Sequence, residues 1–201
     1  MKREFFIRFH CAVIAAALGL AGCRPDSKPT DSPILRDTQP TNGLSQPGTT
    51  SGDDWRRVTS PDGNVSVEFP LAFPATEEVA GGSSGAPEIT SFYCSITNKA
   101  IILRLSYHKI PPDAVGLKPV QLVGQIVDSM KAQGLTGIVA DELGGAVPIY
   151  QILAVNESAR QFFVIRVAVR DGLIYRAIAT SVGGNYSDPI MLRFVRSFQC
   201  K

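Results

Sequence analysis

The chain has 201 residues, with 20 Lys and Arg against 18 Asp and Glu and a formal net charge of +2. Lys2, Arg3, Arg8 and Glu4 all fall within the first 22 residues, so the remainder balances at 17 basic and 17 acidic side chains. With no basic surplus and no Lys/Arg stripe, the electrostatic footprint of a nucleic-acid binder is missing, and no nucleic-acid partner is expected.

Residues 1–22 read as a secretory signal: a basic head with Lys2, Arg3 and Arg8, then small and apolar residues without interruption from Cys11 to Gly22. A membrane-spanning helix needs about 20 apolar residues, and this run is well short of that, so a permanent transmembrane anchor is not expected. The run ends in Leu20-Ala21-Gly22-Cys23. This tetrapeptide resembles the lipobox of bacterial lipoprotein precursors at all four positions. The resemblance implies cleavage between Gly22 and Cys23, a thioether-linked diacylglyceryl group on Cys23, and usually acylation of the new amino group. Several acyl chains, at about 0.8 kcal/mol per buried methylene, hold a protein stably on a membrane where one chain does so only marginally. The expected location is the cell envelope, lipid-anchored and facing the periplasm or exterior; the choice between inner and outer membrane stays open.

Residues 24–54 contain 17 Pro, Gly, Ser and Thr among 31, and their only sizeable aliphatics are Ile34, Leu35 and Leu44. Such a segment buries too little apolar surface to order itself, so residues 23–54 are expected to form a lipidated tether. As a coil it would span about 30 Å. Composition changes at Trp55, and residues 55–201 are long enough for one domain with a sizeable core.

Within that domain Arg56 to Thr59, Asp62-Gly63 and the alternating Val65, Val67, Phe69 predict a hairpin stopped by Pro70. A loop rich in Pro, Gly and Ser follows. Ser91 to Thr97 and Ala100 to His108 predict two strands turned at Asn98-Lys99, with Ile101, Leu103, Leu105 and Tyr107 on one face. From Lys118 to Gln133, Val120, Val123, Val127 and Met130 recur three and four apart, with Pro119 near the start and Gly134 past the end, predicting an amphipathic helix. Ile138 to Leu143, Ala146 to Asn156, Gln161 to Arg170 and Leu173 to Ser181 read as strands, the last two joined by Asp171-Gly172, a strong hairpin signal. Ser187-Asp188-Pro189 supplies a cap and first-turn proline for a final helix with Met191, Phe194, Val195 and Phe198 on one stripe. The order predicts an α+β domain, a mainly antiparallel sheet covered by helices.

The opening TSPDGNVSVEFP, residues 59–70, and the closing LRFVRSFQ, residues 192–199, resemble the PsbP-like α/β/α sandwich of the photosystem II extrinsic subunit and related bacterial envelope proteins. The resemblance implies a binding or assembly module without a catalytic constellation, and it transfers no functional residue to a position here.

Of four cysteines, Cys11 leaves with the signal and Cys23 takes the lipid, so Cys94 and Cys200 remain in a compartment that permits oxidation. They are either bridged or free; the sequence admits both. Gly81-Gly82-Ser83-Ser84-Gly85 satisfies G-x-S-x-G, the nucleophile elbow, but lies in a loop rather than between a strand and a helix. His108, the one histidine beyond the signal, sits at a strand end and is expected to be partly exposed. A Ser83–His108 hydrolase is therefore kept only as the enzyme-class rival. One imidazole with scattered carboxylates offers no metal-ligand spacing, and no metal or cofactor is expected. Asp141 and Glu142 are adjacent, point to opposite faces of a strand, and read as a solvated edge. Gly144-Gly145 reads as a turn, and the N-x-[ST] triplets at Asn64, Asn156 and Asn185 have no role expected in a bacterial lipoprotein. The function expected is a non-catalytic, membrane-anchored envelope lipoprotein that binds a protein or assists assembly, with a small-molecule or lipid carrier as the alternative.

Overall fold

A computed structural model describes residues 54–73, 75–81 and 88–201. Gly22, Cys23 and the segment expected to be a tether up to residue 53 lie outside the described residues, as does Ser83.

The first hairpin pairs β1 (Trp55–Thr59) with β2 (Val65–Pro70), in register from Trp55 opposite Pro70 to Thr59 opposite Ser66. Its turn closes through Ser60 N–H donating to Val65 O at 2.8 Å, and Gly63 takes φ +75°, a conformation that costs glycine little. β3 (Thr76–Ala80) occupies part of the stretch expected to be loop. It pairs with β4 (Ile89–Ile96), which turns through a 3₁₀ segment at Thr97–Lys99 and a left-handed Ala100 into β5 (Ile101–Lys109). Helix α1 (Pro119–Ala132) leads to β6 (Thr136–Glu142), β7 (Ile149–Asn156), β8 (Gln161–Arg170) and β9 (Leu173–Val182). Helix α2 (Pro189–Arg196) and a two-residue strand, β10 (Gln199–Cys200), finish the chain.

The strands form two sheets rather than one. β3-β4-β5-β9-β8-β7-β6 make a seven-stranded antiparallel sheet, while β1-β2-β10 make a separate three-stranded one. Asp171 and Gly172 both hold positive φ, 49° and 75°, as the two-residue β8–β9 hairpin requires.

Alternating residues on β8 and β9 send side chains to opposite faces, and each face has its own apolar cluster. Val164, Ala168, Tyr175, Ala177 and Ala179 join Val65, Val67 and Phe69 of β2 and Met191, Phe194, Val195 and Phe198 of the C-terminal segment. Phe163, Ile165, Val167 and Ile174 join Val123, Ile126 and Met130 of α1.

The final helix follows its sequence signal closely. Asp188 Oδ1 accepts from Ile190 N–H at 2.8 Å, Pro189 opens the first turn, and the four stripe residues are buried. Helix α1 is rotated from expectation: Leu122, Val123, Ile126 and Met130 are buried, Val127 is at the rim, and Val120 is 55% exposed. Its apolar residues cover more than one stripe, so spacing alone leaves the rotation open until Ile152 and Ile165 of the sheet select a side.

The two sheets are pinned together at one end. Asp62, in the β1–β2 turn, accepts from Ser60 Oγ at 2.6 Å and from the hydroxyl of Tyr175, whose ring is fully buried on β9. Asn64 Nδ2 donates to that hydroxyl and to Asp171 Oδ2, both at 3.2 Å. Partial burial works to raise the Asp62 pKa, but the hydrogen bonds from Ser60, Tyr175 and Asn64 outweigh it and hold the carboxyl below its ordinary value. Burial, then the Asp62 carboxylate, push the Tyr175 phenol well above its ordinary range. Tyr175→Phe is expected to cost about 1.5 kcal/mol at neutral pH, since a hydrogen bond to a charged acceptor is lost. A depressed carboxylate pKa contributes stability that is present above the unfolded-state value of 3.8 and lost as pH falls through the lower folded value. Urea unfolding of both proteins should therefore show the gap between wild type and variant shrinking below about pH 4; a gap that does not change with pH would place its origin elsewhere.

Candidate functional site

Two polar places on opposite faces of the domain are built by the packing. The first is an open groove of about 570 Å³ where α2 meets the three-stranded sheet, lined by Arg57, Glu68, Leu192, Arg193, Arg196 and Gln199 among others. Asp188 and Pro189 start α2 here, and burial of Phe194 and Val195 turns Leu192, Arg193 and Arg196 outward. Glu68 is the one carboxylate in the lining: Arg57 Nη2 lies 3.3 Å from Glu68 Oε1 and Arg193 Nε lies 3.8 Å from Oε2. Arg57 Nη1 also donates to Gln199 Oε1 at 3.3 Å, and the Arg193 guanidinium stands 4.6 Å from the Trp55 ring centroid. Beside the groove, Arg166 of β8 donates from Nη1 to Arg196 O at 3.3 Å; burial, then the Arg196 charge, lower its pKa. Among the described lining residues, three arginines stand with one carboxylate.

The second place lies on the α1 side of the large sheet, across β4, β5 and β9. Ser106 and Arg176 are direct cross-strand partners, Ser91 pairs with Ser106 from the other side, and Arg104 stands two residues before Ser106 on the same face. Arg176 is 5% exposed, and its Nε and Nη2 have no hydrogen-bond partner and no contact with solvent; the Ser106 hydroxyl is orphaned in the same way. Arg104 reaches outward, 5.5 Å from the Tyr93 ring centroid and 4.0 Å from Glu78 Oε2, a long contact to a half-exposed carboxylate. Burial, then the neighbouring Arg104 charge, pull the Arg176 guanidinium down to about 10, which leaves it charged at neutral pH.

His108 also belongs to this face. It is buried, 2% exposed, rather than partly exposed, because its strand runs one residue past it, to Lys109, and is flanked on both sides, His108 pairing with Ile89 of β4 and Ile174 of β9. Its Nδ1 lies 2.8 Å from Lys109 O. Ser83 falls outside the described residues. Asp141 and Glu142 lie on β6, the exposed edge strand, opposite Gln151 and Tyr150. Gly144 and Gly145 take φ of 75° and 115° in the turn before β7, which starts at Ile149 rather than Ala146. Among the described residues no group of three or more His, Cys, Asp and Glu side chains could hold a metal ion, and no helix is long and apolar enough to cross a membrane.

Cys94 and Cys200 are both free thiols. Cys94 faces the core from β4, where burial pushes its pKa up to about 11, and Cys200 is half-buried on β10 of the other sheet, also raised by burial. A thiolate is the reactive species, so iodoacetamide should label Cys200 in the native protein and Cys94 only after unfolding. Peptide mass spectrometry reads this directly; equal labelling rates, or resistance of both cysteines relieved only by reductant, would contradict it.

No protein-family model matches the chain, and no curated protein matches it. The solution structure of cyanobacterial PsbP (CyanoP) from Synechocystis sp. PCC 6803 superimposes with a TM-score of 0.52 and 13% sequence identity, covering 79% of this chain and 99% of that one. The domain thus has a PsbP-like α+β fold of mainly antiparallel sheet with two helices. Arg193 and Arg196, three residues apart on α2, share a helix face that the sequence shows, but their meeting with Arg57 is set by the fold, and Arg104 and Arg176 meet only through strand pairing.

Proposed function

We propose that this chain is a membrane-anchored envelope lipoprotein, tethered through Cys23, whose PsbP-like domain binds a protein partner and does not catalyse a reaction. The observation that carries this reading is the groove, whose described lining residues include Arg57, Arg193 and Arg196 with one carboxylate, Glu68, shared between Arg57 and Arg193. A segment of a partner bearing Asp or Glu side chains is the complement of that surface, since Arg forks pair bidentately with carboxylates. Exposed ion pairs such as Arg57–Glu68 are worth little, so exchanging them for an intermolecular pair costs little. The lipobox and the composition of residues 24–54 support a domain held at the membrane on a reach of about 30 Å.

The test is a photo-crosslinking amino acid placed at Leu192 in the groove, with the same residue placed at Val139 on the exposed edge strand as the control. A discrete crosslinked protein at Leu192 that is absent at Val139 and lost on Arg196→Glu supports the groove. Crosslinks of equal yield at both positions would overturn it.

A second reading, a small-molecule carrier, is favoured by one observation: the buried Nε and Nη2 donors of Arg176, which no group among the described residues satisfies.

A further inference from the structure

Arg176 poses a problem of charge that the described residues do not solve. A guanidinium has no acceptor capacity and stays protonated in proteins, so burying it demands carboxylates, carbonyls or another anion around its five N–H groups. Here Nε and Nη2 are both buried without an acceptor. The cross-strand neighbour, Ser106, does not help: its hydroxyl is buried and equally without a partner. The polar side chains diagonal to Arg176 across the β5–β9 pairing are His108, whose Nδ1 lies against Lys109 O, and a second cation, Arg104. Glu78, the acid beside Arg104, reaches Arg104 Nη2 only at 4.0 Å and forms no ion pair with Arg176. Two cations and a hydroxyl therefore converge on one patch of sheet, all three on strands rather than loops, so their spacing is set by the ladder.

We propose that this patch is a binding site for a small oxyanion, the carboxylate or phosphate group of a ligand, held by Arg176 and Ser106 from below and by Arg104 from the solvent side. A tetrahedral or planar oxyanion can accept from Nε and Nη2 of one guanidinium in the bidentate geometry that neither a hydroxyl nor a carbonyl of the described residues provides. It also relieves the repulsion between the two arginines. Arg104, with 12% of its side chain exposed, is the member through which the ligand enters, exchanging the long Glu78 contact for a direct one. This deepens the carrier reading by naming the charged group the ligand would bear, and it does not depend on the groove beside α2.

The test follows the Arg Nε–Hε resonances of the ¹⁵N-labelled protein during titration with inorganic phosphate, and separately with acetate, against sodium chloride at equal ionic strength. A saturable shift of the Arg176 Nε–Hε signal is expected with at least one oxyanion, weakened at least tenfold in Arg104→Gln. The oxyanion that saturates first identifies the class. A non-saturating shift, a response to chloride of equal size, or an Arg104→Gln protein with wild-type affinity would overturn the site. Arg176→Met should abolish the thermal-shift response to the same oxyanion; should that variant fail to fold, the wild-type resonance and Arg104→Gln still decide. A protein that fails this titration yet retains an uncharged molecule in native mass spectrometry would lose the oxyanion site while keeping the carrier reading.

Discussion

Phe194→Ala is expected to remove about 3 to 5 kcal/mol of stability, the range for deleting a fully buried aromatic ring. Phe194 has no exposed surface, its ring centroid lies 5.0 Å from that of Phe69 in an edge-to-face contact, and it belongs to the cluster that joins α2, β2 and the large sheet. Removing it opens a cavity where three elements meet, and a helix of eight residues has little intrinsic stability with which to compensate. Against a total of about 5 to 15 kcal/mol for a domain of this kind, the loss approaches global unfolding. Urea titration should show a large fall in midpoint at unchanged slope. A cost under about 1 kcal/mol would mean that α2 is not held through this contact.

Arg176→Met is expected to act in the opposite direction. Exchanging a buried ionic group for an apolar one of similar volume is often stabilising by about 1 to 4 kcal/mol, and an uncompensated cation is the favourable case for that exchange. Met fills the channel of the arginine stem without leaving Nε and Nη2 buried and unpartnered. In buffer without oxyanions the variant should therefore melt several degrees above wild type, at about 3 °C per kcal/mol for a domain of this size. Saturating oxyanion should narrow the difference by stabilising wild type alone, because only the protein that binds gains from mass action. A variant less stable than wild type in oxyanion-free buffer would show that the chain already compensates the charge.

The parts of the fold legible in the sequence were those fixed by neighbours along the chain. Asp171-Gly172 demands two positive φ angles and marks its hairpin wherever the sheet lies; Asp188 and Pro189 mark the start of α2, and the stripe from Met191 shows its buried side, although the helix ends at Arg196, before Phe198. What was not legible depends on residues far apart. β3, Thr-Glu-Glu-Val-Ala, is exposed throughout and is a strand because β4 offers it an edge, while its two glutamates discourage pairing with another chain. The division into two sheets, with β2 pairing β1 and the distant β10, cannot be read from any single run of residues. The same holds for the arginine patch: Arg104 and Arg176 are ordinary strand residues until the β5–β9 register sets them diagonally across from each other on one face. His108 shows the limit in the other direction, since a strand-end position near two prolines suggests exposure, and the pairing with β9 buries it.

The proposed lipid-tethered binding role depends most directly on Cys23. The decisive measurement is crosslinking in intact cells of the full-length chain and of Cys23→Ala, followed by affinity purification and mass spectrometry. An anchored module should yield a discrete partner with the wild-type chain and lose it in Cys23→Ala although the domain still folds. The same partner recovered in equal amount from both chains would contradict a role for the anchor, and absence of any partner from the wild-type chain would contradict the protein-binding module itself.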